Sequence, residues 1–241
     1  MSATSESASP QPVCVVAGVG PGNGVAIART FAERGHRVAM LARRAERLAQ
    51  WEREIPGTRG FACDVTDAAQ VARAFAALRS ELGPVRVLVH NAAQGVFGEF
   101  MDVKPEQLEG AFRTNTLSLL HCGQEAARDM LAAGAGAIVV TGNTAARRGK
   151  AHFAGFAPTK AAQRILAEAM ARSLGPRGIH VAYVVIDAVI DMAWTRERYA
   201  GKPDEFFAQP ADIAETIWHL AQQPRSAWSF EVDLRPFGEV W

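Results

Sequence analysis

The stretch VCVVAGVGPGNG, residues 13–24, decides the fold of this 241-residue chain. Its first five residues are all apolar, which is typical of a parallel strand buried on both faces. The glycines that follow allow a tight turn, and they let a phosphate approach the backbone because no Cβ stands in the way. A helical pattern comes next, and the free N–H groups at its start would attract phosphates. This order predicts a dinucleotide-binding unit, and the alternative is a simple tight turn that binds no ligand. The predicted binding residues are Gly18, Gly20, Pro21, Gly22, Asn23 and Gly24.

Short apolar runs and helical patterns alternate along the rest of the chain. We expect strands at 37–41, 60–63, 85–89, 137–140, 179–186 and 229–232, and helices after Asp67, from Pro105 through Leu119, and over 158–174. This alternation predicts the fold class α/β, a single doubly wound parallel sheet of the Rossmann type with helices on both faces. The Ser/Ala/Pro-rich segment 1–12 is predicted to be a disordered tail, and residues 13–241 a single dinucleotide-binding and catalytic domain.

The composition excludes several classes of function. Twenty-six Lys and Arg residues balance 25 Asp and Glu residues, and the net charge of +1 gives no electrostatic reason to bind nucleic acid or a membrane surface. No apolar run approaches the roughly 20 residues that a membrane span needs, and the N-terminus does not resemble a signal peptide. Cys14, Cys63 and Cys122 have no metal-ligand spacing. We therefore expect no metal site and three buried thiols in a cytoplasmic protein.

Several segments resemble the short-chain dehydrogenase/reductase family. Gly18, Gly22 and Gly24 have that family's Gly-x-x-x-Gly-x-Gly spacing, and the resemblance extends over nearly the whole chain from Val13 onward. It implies a nicotinamide dinucleotide, a small-molecule substrate and a homo-oligomer, either dimer or tetramer. Asp64-Val65 resembles the family's adenine-contacting pair. Asn91-Ala92-Ala93 resembles its Asn-Asn-Ala-Gly segment, with His90 in place of the first Asn. Asn115 matches the helix Asn that positions a water, and Lys160 matches the catalytic Lys.

The residues after the second predicted strand favour NADP(H) over NAD(H). An NAD site places an acidic side chain there to bind the ribose 2′-hydroxyl. In this chain Arg43 and Arg44 take that place, and no acid precedes Glu46. A guanidinium can bind a 2′-phosphate through two hydrogen bonds, whereas a carboxylate would repel it. The alternative is that both arginines lie on a solvated surface.

The catalytic positions depart from the family pattern. The family uses a Ser, a Tyr and a Lys, and the Tyr stands four residues before the Lys on one helix face. Its phenol exchanges a proton with the substrate oxygen, helped by the nearby ammonium. Here Phe156 takes the Tyr position and Asn143 the Ser position. Phe156 has no proton to give, and an Asn donates a hydrogen bond but is not an acid.

The segment after the sixth predicted strand is altered too. Asp187 takes the place of a Pro, either facing the site or capping the next turn. Ile190 still offers its backbone to the nicotinamide carboxamide, but Met192 replaces the family's Thr. The remaining candidates for a proton donor are Thr144, His152 and Tyr199, and no pattern in the sequence favours one of them.

Two functions remain open from the sequence. The first is an NADP(H)-dependent oxidoreductase of the short-chain type, transferring a hydride to or from an activated carbonyl, enone or imine. The second is a non-catalytic NADP(H)-binding or redox-sensing protein. The aromatic segment 194–207 is predicted to line an apolar pocket, pack as a lid or contact another subunit, and the apolar end 228–241 to join subunits. The predicted catalytic residues are Asn115, Asn143, Phe156 and Lys160.

Overall fold

The sheet at the centre of the molecule has seven parallel strands in the order β3-β2-β1-β4-β5-β6-β9. The structure, a computed structural model, describes residues 11–239. The strands are β1 Val13–Ala17, β2 Arg37–Ala42, β3 Thr58–Ala62, β4 Val85–His90, β5 Gly136–Asn143, β6 Ile179–Ile186 and β9 Glu231–Leu234. A separate parallel pair, β7 Val189–Ile190 and β8 Phe207–Ala208, lies beyond the end of β6.

Helices cover both faces of the sheet, because successive side chains of a strand point to opposite faces. On one face Val15 and Leu41 pack with apolar side chains of α3, α5 and α6. On the other, Cys14 and Met40 pack with those of α1, α2 and α8. The helices are α1 Asn23–Glu33, α2 Ala45–Glu54, α3 Ala68–Leu82, α4 Pro105–Phe112, α5 Ser118–Ala133, α6 Ala157–Leu174, α7 Ala193–Arg198 and α8 Pro210–Ala221.

The order of the strands fixes where a ligand can bind. β1 pairs with β2 on one side and with β4 on the other, so the chain leaves the carboxyl ends of β1 and β4 in opposite directions. In parallel sheets of this kind a crevice opens at that point. The glycine loop after β1 and the segment 91–93 after β4 both lie there.

The predicted α/β fold class is confirmed, with corrections to individual elements. β3 begins at Thr58 rather than residue 60, and β9 covers 231–234 rather than 229–232. The helix predicted from Pro105 through Leu119 is interrupted by a π-helical turn, Arg113–Leu117, which separates α4 from α5. The helices α2, α7 and α8 were not predicted.

At the N-terminus, residues 1–10 of the predicted disordered tail lie outside the described residues. Pro12 accepts a hydrogen bond from the backbone of Arg37. The prediction for the cysteines is confirmed, since Cys14, Cys63 and Cys122 are buried free thiols. Within residues 11–239 no helix combines the length and apolar character needed to cross a membrane.

Candidate active site

The glycine loop between β1 and α1 packs tightly against the end of β4. Gly18 has a φ of +89° and Gly22 a φ of +93°, in the region that favours glycine. A Cβ on Gly18 would lie 2.4 Å from the Cα of Ala92. At Gly20, by contrast, no heavy atom comes within 4 Å of a Cβ position. The loop therefore presses against the protein at Gly18 and leaves open space in front of Gly20.

The start of α1 has polar atoms that no protein group satisfies. In the described part of the chain no side chain caps this helix, and the buried Oδ1 of Asn23 has no hydrogen-bond partner. Helix N–H groups in this position attract phosphate. A cleft of about 680 Å³ opens beside the loop. The uncapped helix start and the cleft fit the pyrophosphate of a dinucleotide, whereas the Asn23 oxygen is an acceptor and would need a hydrogen-bond donor. Of the predicted cofactor-binding residues, the cleft is lined by Gly18, Gly20, Arg43, Arg44, Asp64, Val65, Asn91, Ala92 and Ala93.

Arginine residues line this cleft. Arg43 and Arg44 are exposed at its wall, and neither side chain forms an ion pair or hydrogen bond within residues 11–239. Arg47 and Arg113, which the sequence analysis did not single out, line the same cleft. Four arginines therefore line the cleft.

Asp64 and Val65 lie together on the cleft wall after β3. One carboxylate oxygen of Asp64 accepts hydrogen bonds from the backbone N–H of Thr66 at 2.9 Å and from its hydroxyl at 2.8 Å. The carbonyl of Val65 lies 3.2 Å from Nδ1 of His121. These contacts hold the pair in place without using the second carboxylate oxygen of Asp64.

Asn91 joins the glycine loop to two neighbouring strands. Its Nδ2 donates to the carbonyl of Gly18 at 2.9 Å, and its backbone N–H donates to Ala17 at 2.8 Å. The hydroxyl of Thr141 on β5 donates to Oδ1 of Asn91 at 3.2 Å. Asn91 therefore has a structural role at the floor of the cleft, where it holds the glycine loop against the sheet.

Asn115 lies in the π-helical turn, and its side chain is fully used by the protein. Oδ1 accepts from the backbone N–H of Gln94 at 2.8 Å. Nδ2 donates to the carbonyl of Gln94 at 3.0 Å and to the hydroxyl of Thr159 at 2.8 Å. The amide thus ties the segment after β4 to α6, next to Lys160.

Lys160 is almost completely buried beneath the cleft, with 2% of its surface exposed. Its Nζ donates to the carbonyl of Thr141 at 3.0 Å and to Oε1 of Gln163. The structure does not bring Nζ to the side chain of Asn115. Burial lowers the pKa of the ammonium from about 10.5 to about 7.

A row of buried polar side chains continues from Lys160. Nε2 of Gln163 lies 3.4 Å from Nδ1 of His90, and Nε2 of His90 lies 2.7 Å from the hydroxyl of Ser118. That hydroxyl donates to the carbonyl of Thr114, just before Asn115. Burial, together with the charge of Lys160, lowers the pKa of His90 to about 3, so the imidazole is neutral and each member has a partner.

A buried tyrosine of β6 also reaches this row. Tyr183 is fully buried in β6, and its hydroxyl lies 3.5 Å from Oε1 of Gln163. Its ring covers Gly142, where a Cβ would lie 2.1 Å from the ring. Sequence reasoning missed Gln163, Ser118 and Tyr183, and it identified His90 only as the residue in place of the family's first Asn. The available signal was a Gln three residues after Lys160, which places a second polar group on the same helix face.

Phe156 stands at the N-terminal end of α6 and is 7% exposed. Its ring centroid lies 5.4 Å from that of Phe97 and 6.2 Å from that of Phe153, and Phe97 and Phe153 are 5.5 Å apart. We call these three side chains the phenylalanine cluster. Asn143 ends β5, and its Oδ1 accepts from the backbone N–H of Ala145 at 3.1 Å. Neither Phe156 nor Asn143 supplies an acid.

The other candidate proton donors have ordinary surroundings. The side chain of His152 is 74% exposed, and its Nε2 lies 3.8 Å from Glu99. Thr144 opens the short 3₁₀ turn after β5. Tyr199 packs its ring 5.5 Å from that of Phe206. No contact of the described residues selects any of them as an acid.

The segment after β6 rests against the glycine loop. The sulfur of Met192 would lie 2.7 Å from a Cβ on Gly22, so the methionine covers this glycine. Ile190 lies in β7, and its carbonyl accepts from the hydroxyl of Thr195 at 2.6 Å. Asp187 lies 3.8 Å from the guanidinium of Arg148.

Two ion pairs and packed aromatic rings fix the following segment, 194–207. Arg196 contacts Asp191 at 2.6 Å and Asp204 at 2.6 Å, and its guanidinium lies 4.1 Å above the ring of Phe207. Hydrogen bonds from Arg196 lower the pKa of Asp191 to about 2. Phe207 is buried, while Trp194 is 57% exposed. Most of the aromatic residues of this segment therefore pack within it.

Comparison with known proteins defines the family. The sequence profile of the short chain dehydrogenases matches residues 12–199. The chain belongs to the short-chain dehydrogenase/reductase family of oxidoreductases.

Individual relatives are reductases or dehydrogenases. The chain is 36% identical to D-erythrulose reductase of Gallus gallus over 168 residues, 69% of this chain and 67% of that protein. It is similar to the crystal structure of a short-chain dehydrogenase from Rhodopseudomonas palustris, with a TM-score of 0.81, 32% identity and coverage of 94% and 99% of the two chains. A metagenomic short-chain oxidoreductase solved in complex with NADP gives a TM-score of 0.82 at 27% identity, covering 95% and 98%.

Proposed function

We propose that the protein is an NADP(H)-dependent oxidoreductase that transfers a hydride to or from a small, activated carbonyl, enone or imine. The observation that carries this proposal is Phe156. It occupies the helix position of the family's tyrosine and is surrounded by apolar rings. The reaction therefore proceeds without a phenol as proton donor, which suits acceptors that need little acid assistance.

The cleft residues supply binding and orientation. The glycine loop and the start of α1 would hold the pyrophosphate, the arginines at 43 and 44 the 2′-phosphate, Asp64 and Val65 the adenine, and the backbone of Ile190 the carboxamide. Lys160 would hold the ribose hydroxyls. The bound dinucleotide supplies the hydride, so the protein contributes position rather than covalent chemistry.

The phenylalanine cluster favours a particular kind of acceptor. Its rings offer no hydrogen bond to a carbonyl oxygen, so a plain ketone gains no help as negative charge develops on its oxygen. An enone spreads that charge over more atoms. An iminium carbon is already positive, and aromatic faces stabilise a cation within about 6 Å.

A second function is supported by the hydrogen bonds of the site. Asn115 and Asn143 both have protein partners that explain them without catalysis, and Lys160 is explained by ribose binding. A non-catalytic NADP(H)-binding or redox-sensing protein would need no more than these contacts. The buried free thiols support a reducing, cytoplasmic setting for either function.

Cofactor preference is tested by titrating NADPH and NADH side by side. One charge-assisted contact contributes about 1.5–3 kcal/mol, so we expect NADPH to bind roughly 10- to 150-fold more tightly. Arg43→Ala combined with Arg44→Ala should remove most of this preference. Arg53→Ala, an exposed arginine of α2 outside the cleft lining, is the matched control. Equal affinities in the wild type would show that the arginines do not bind a phosphate.

Catalysis is tested by following NADPH consumption with cyclohexanone, 2-cyclohexenone and 1-pyrroline. We expect the wild type to favour the two activated acceptors. Phe156→Tyr should raise cyclohexanone turnover, since general acid catalysis is typically worth about 10²–10⁴ in rate. Phe153→Tyr adds a hydroxyl to the same cluster at the wrong position and should not do so.

Two results would contradict this reading of the site. Brisk reduction of cyclohexanone by the wild type would mean that another group acts as the acid. Tight NADPH binding without oxidation by any acceptor would favour the binding-only function.

A further inference from the structure

The amine of Lys160 has two hydrogen-bond acceptors in the protein. These are the carbonyl of Thr141 at 3.0 Å and Oε1 of Gln163. A neutral amine has two N–H groups, and an ammonium has three. In the neutral state both N–H groups are therefore occupied by the protein. Only protonation adds an N–H that is available to a ligand.

No carboxylate compensates the charge of Lys160. The titratable groups that face it are His90 from β4 and Tyr183 from β6, which contact Gln163 at 3.4 Å and 3.5 Å. β5 contributes only the Thr141 carbonyl, and within residues 11–239 Lys160 forms no ion pair. Such burial penalises the ammonium and brings its pKa to about 7, so both protonation states are populated near neutral pH.

Lys160 is one hydrogen-bonded residue away from the cleft. The Thr141 residue that accepts from Nζ also donates its hydroxyl to Asn91 at 3.2 Å, and Asn91 lines the cleft. A ribose hydroxyl bound above this floor would be the acceptor of the third N–H. This step rests on the proposed function, because it requires that a nucleotide occupies the cleft.

We propose that Gln163 is a positioning residue which, with Thr141, occupies both N–H groups of the neutral Lys160 amine. Lys160 then donates a hydrogen bond to a nucleotide only when it is protonated. The dinucleotide is bound tightly at low pH and loses the Lys160 contact as the pH rises through neutrality. Gln163 sets the pH at which this happens, because its carbonyl oxygen is the side-chain acceptor for the ammonium.

The test measures the dissociation constant of NADPH by its fluorescence between pH 6.0 and 9.0. For the wild type we expect the affinity to fall about tenfold between pH 6 and 8.5, the effect of one charge-assisted hydrogen bond. Lys160→Met should lack this step. All other groups of the protein and of the nucleotide are the same in Lys160→Met, so the ratio of the two dissociation constants isolates Lys160.

Two Gln163 variants should move the midpoint of this ratio in opposite directions. Gln163→Met removes one acceptor, which lowers the pKa of Lys160 and moves the midpoint to lower pH; because it also frees an N–H of the neutral amine for the nucleotide, the fall in affinity with pH should become smaller. Gln163→Glu places a carboxylate beside it and moves the midpoint up by at least about one pH unit. Gln124→Glu makes the same change at an exposed position of α5 and should leave the midpoint where it is.

The outcomes separate this inference from the proposed function. Circular dichroism and NADPH binding at pH 6 identify the variants that fold, and either Gln163 variant suffices for the midpoint. If the wild type binds NADPH but the ratio of its dissociation constant to that of Lys160→Met does not change with pH, the inference is overturned and the proposed function is not. The same holds if a folded Gln163 variant leaves the midpoint of this ratio unchanged. No NADPH binding at any pH overturns the proposed function, and with it the role of Lys160 as a donor.

Discussion

At the scale of single residues, Lys160 is the most unusual feature of the protein. A lysine that is 2% exposed and has no carboxylate partner within residues 11–239 is rare, because an unpaired buried charge is costly. Its amine is held by a backbone carbonyl and an amide oxygen. These acceptors satisfy its hydrogen bonds but do not neutralise its charge, so folding disfavours the protonated form.

This burial predicts that Lys160 makes stability depend on pH. The unfolded chain protonates Lys160 below about pH 10.5, whereas the folded protein does so only below about pH 7. Between these values the unfolded state binds one more proton. The contribution of Lys160 to the free energy of unfolding should therefore rise with pH by up to about 1.4 kcal/mol per pH unit. Below pH 7 the full penalty is present.

Urea denaturation at pH 7.0, 8.0 and 9.0 checks this dependence by comparing the wild type with Lys160→Met. The free energy of unfolding of the wild type minus that of Lys160→Met should increase as the pH rises. The contributions of other titrating groups cancel in this difference because both proteins contain them. A difference that stays constant across this range would mean that Lys160 is protonated in the folded protein throughout.

The position of Lys160, but not its surroundings, could be predicted from sequence. The residues flanking it identify the helix and the missing tyrosine at Phe156. Its neighbours Gln163, His90 and Tyr183 come from three different elements, and no local pattern brings them together. They are brought together by the register of β4, β5 and β6 and by the packing of α6 on these strands.

At the scale of elements, the contact between β5 and β6 depends on the absence of a side chain. The ring of Tyr183 occupies the space where Gly142 would carry a Cβ, and the closest ring atom is 2.1 Å from that position. Both residues are buried. The ring therefore lies flat enough against the sheet for its hydroxyl to approach Gln163 on α6.

We expect Gly142→Ala to destabilise the protein by about 1–3 kcal/mol, the usual cost of adding a methyl group to a packed core. Thermal unfolding should show a clearly lower Tm. Gly149→Ala is the control, because no heavy atom lies within 4 Å of its Cβ position. Tyr183→Leu should recover part of the loss when combined with Gly142→Ala. Equal effects at both glycines would show that the ring moves aside easily.

Elements with a strong apolar stripe could be predicted, and weaker ones could not. The first strand and β6 have their predicted bounds because the first is an unbroken apolar run and β6 is interrupted only by His180. α2 was missed because only Leu48 and Trp51 are buried along its length. The π-helical turn could not be predicted, since its Asn115 is held by a loop and by α6 rather than by its own helix.

At the scale of the whole molecule, the homo-oligomer stays a prediction, and Phe237 near the C-terminus is the exposed apolar side chain through which it can be tested. Phe237 is 90% exposed, and it belongs to the apolar end 228–241, of which residues 240 and 241 lie outside the described residues. Monomeric proteins seldom leave large apolar patches uncovered.

Light scattering at micromolar concentration should give a multiple of the 25.9 kDa chain mass. Phe237→Glu should shift the protein toward smaller species, because it places a charge in the contact. Phe100→Glu changes an equally exposed phenylalanine, 83% accessible, near the phenylalanine cluster. A single species of one chain mass in the wild type would contradict the oligomer, and a shift caused only by Phe100→Glu would place the contact elsewhere.

The Gln163 amide has a consequence for how protons move through the protein. A carboxamide neither gains nor loses a proton near neutral pH, so the row from Lys160 to Ser118 is interrupted at its second member. The row therefore does not conduct protons, and His90 cannot reprotonate Lys160 through the Gln163 amide. A proton that Lys160 gains or loses therefore does not pass along this row.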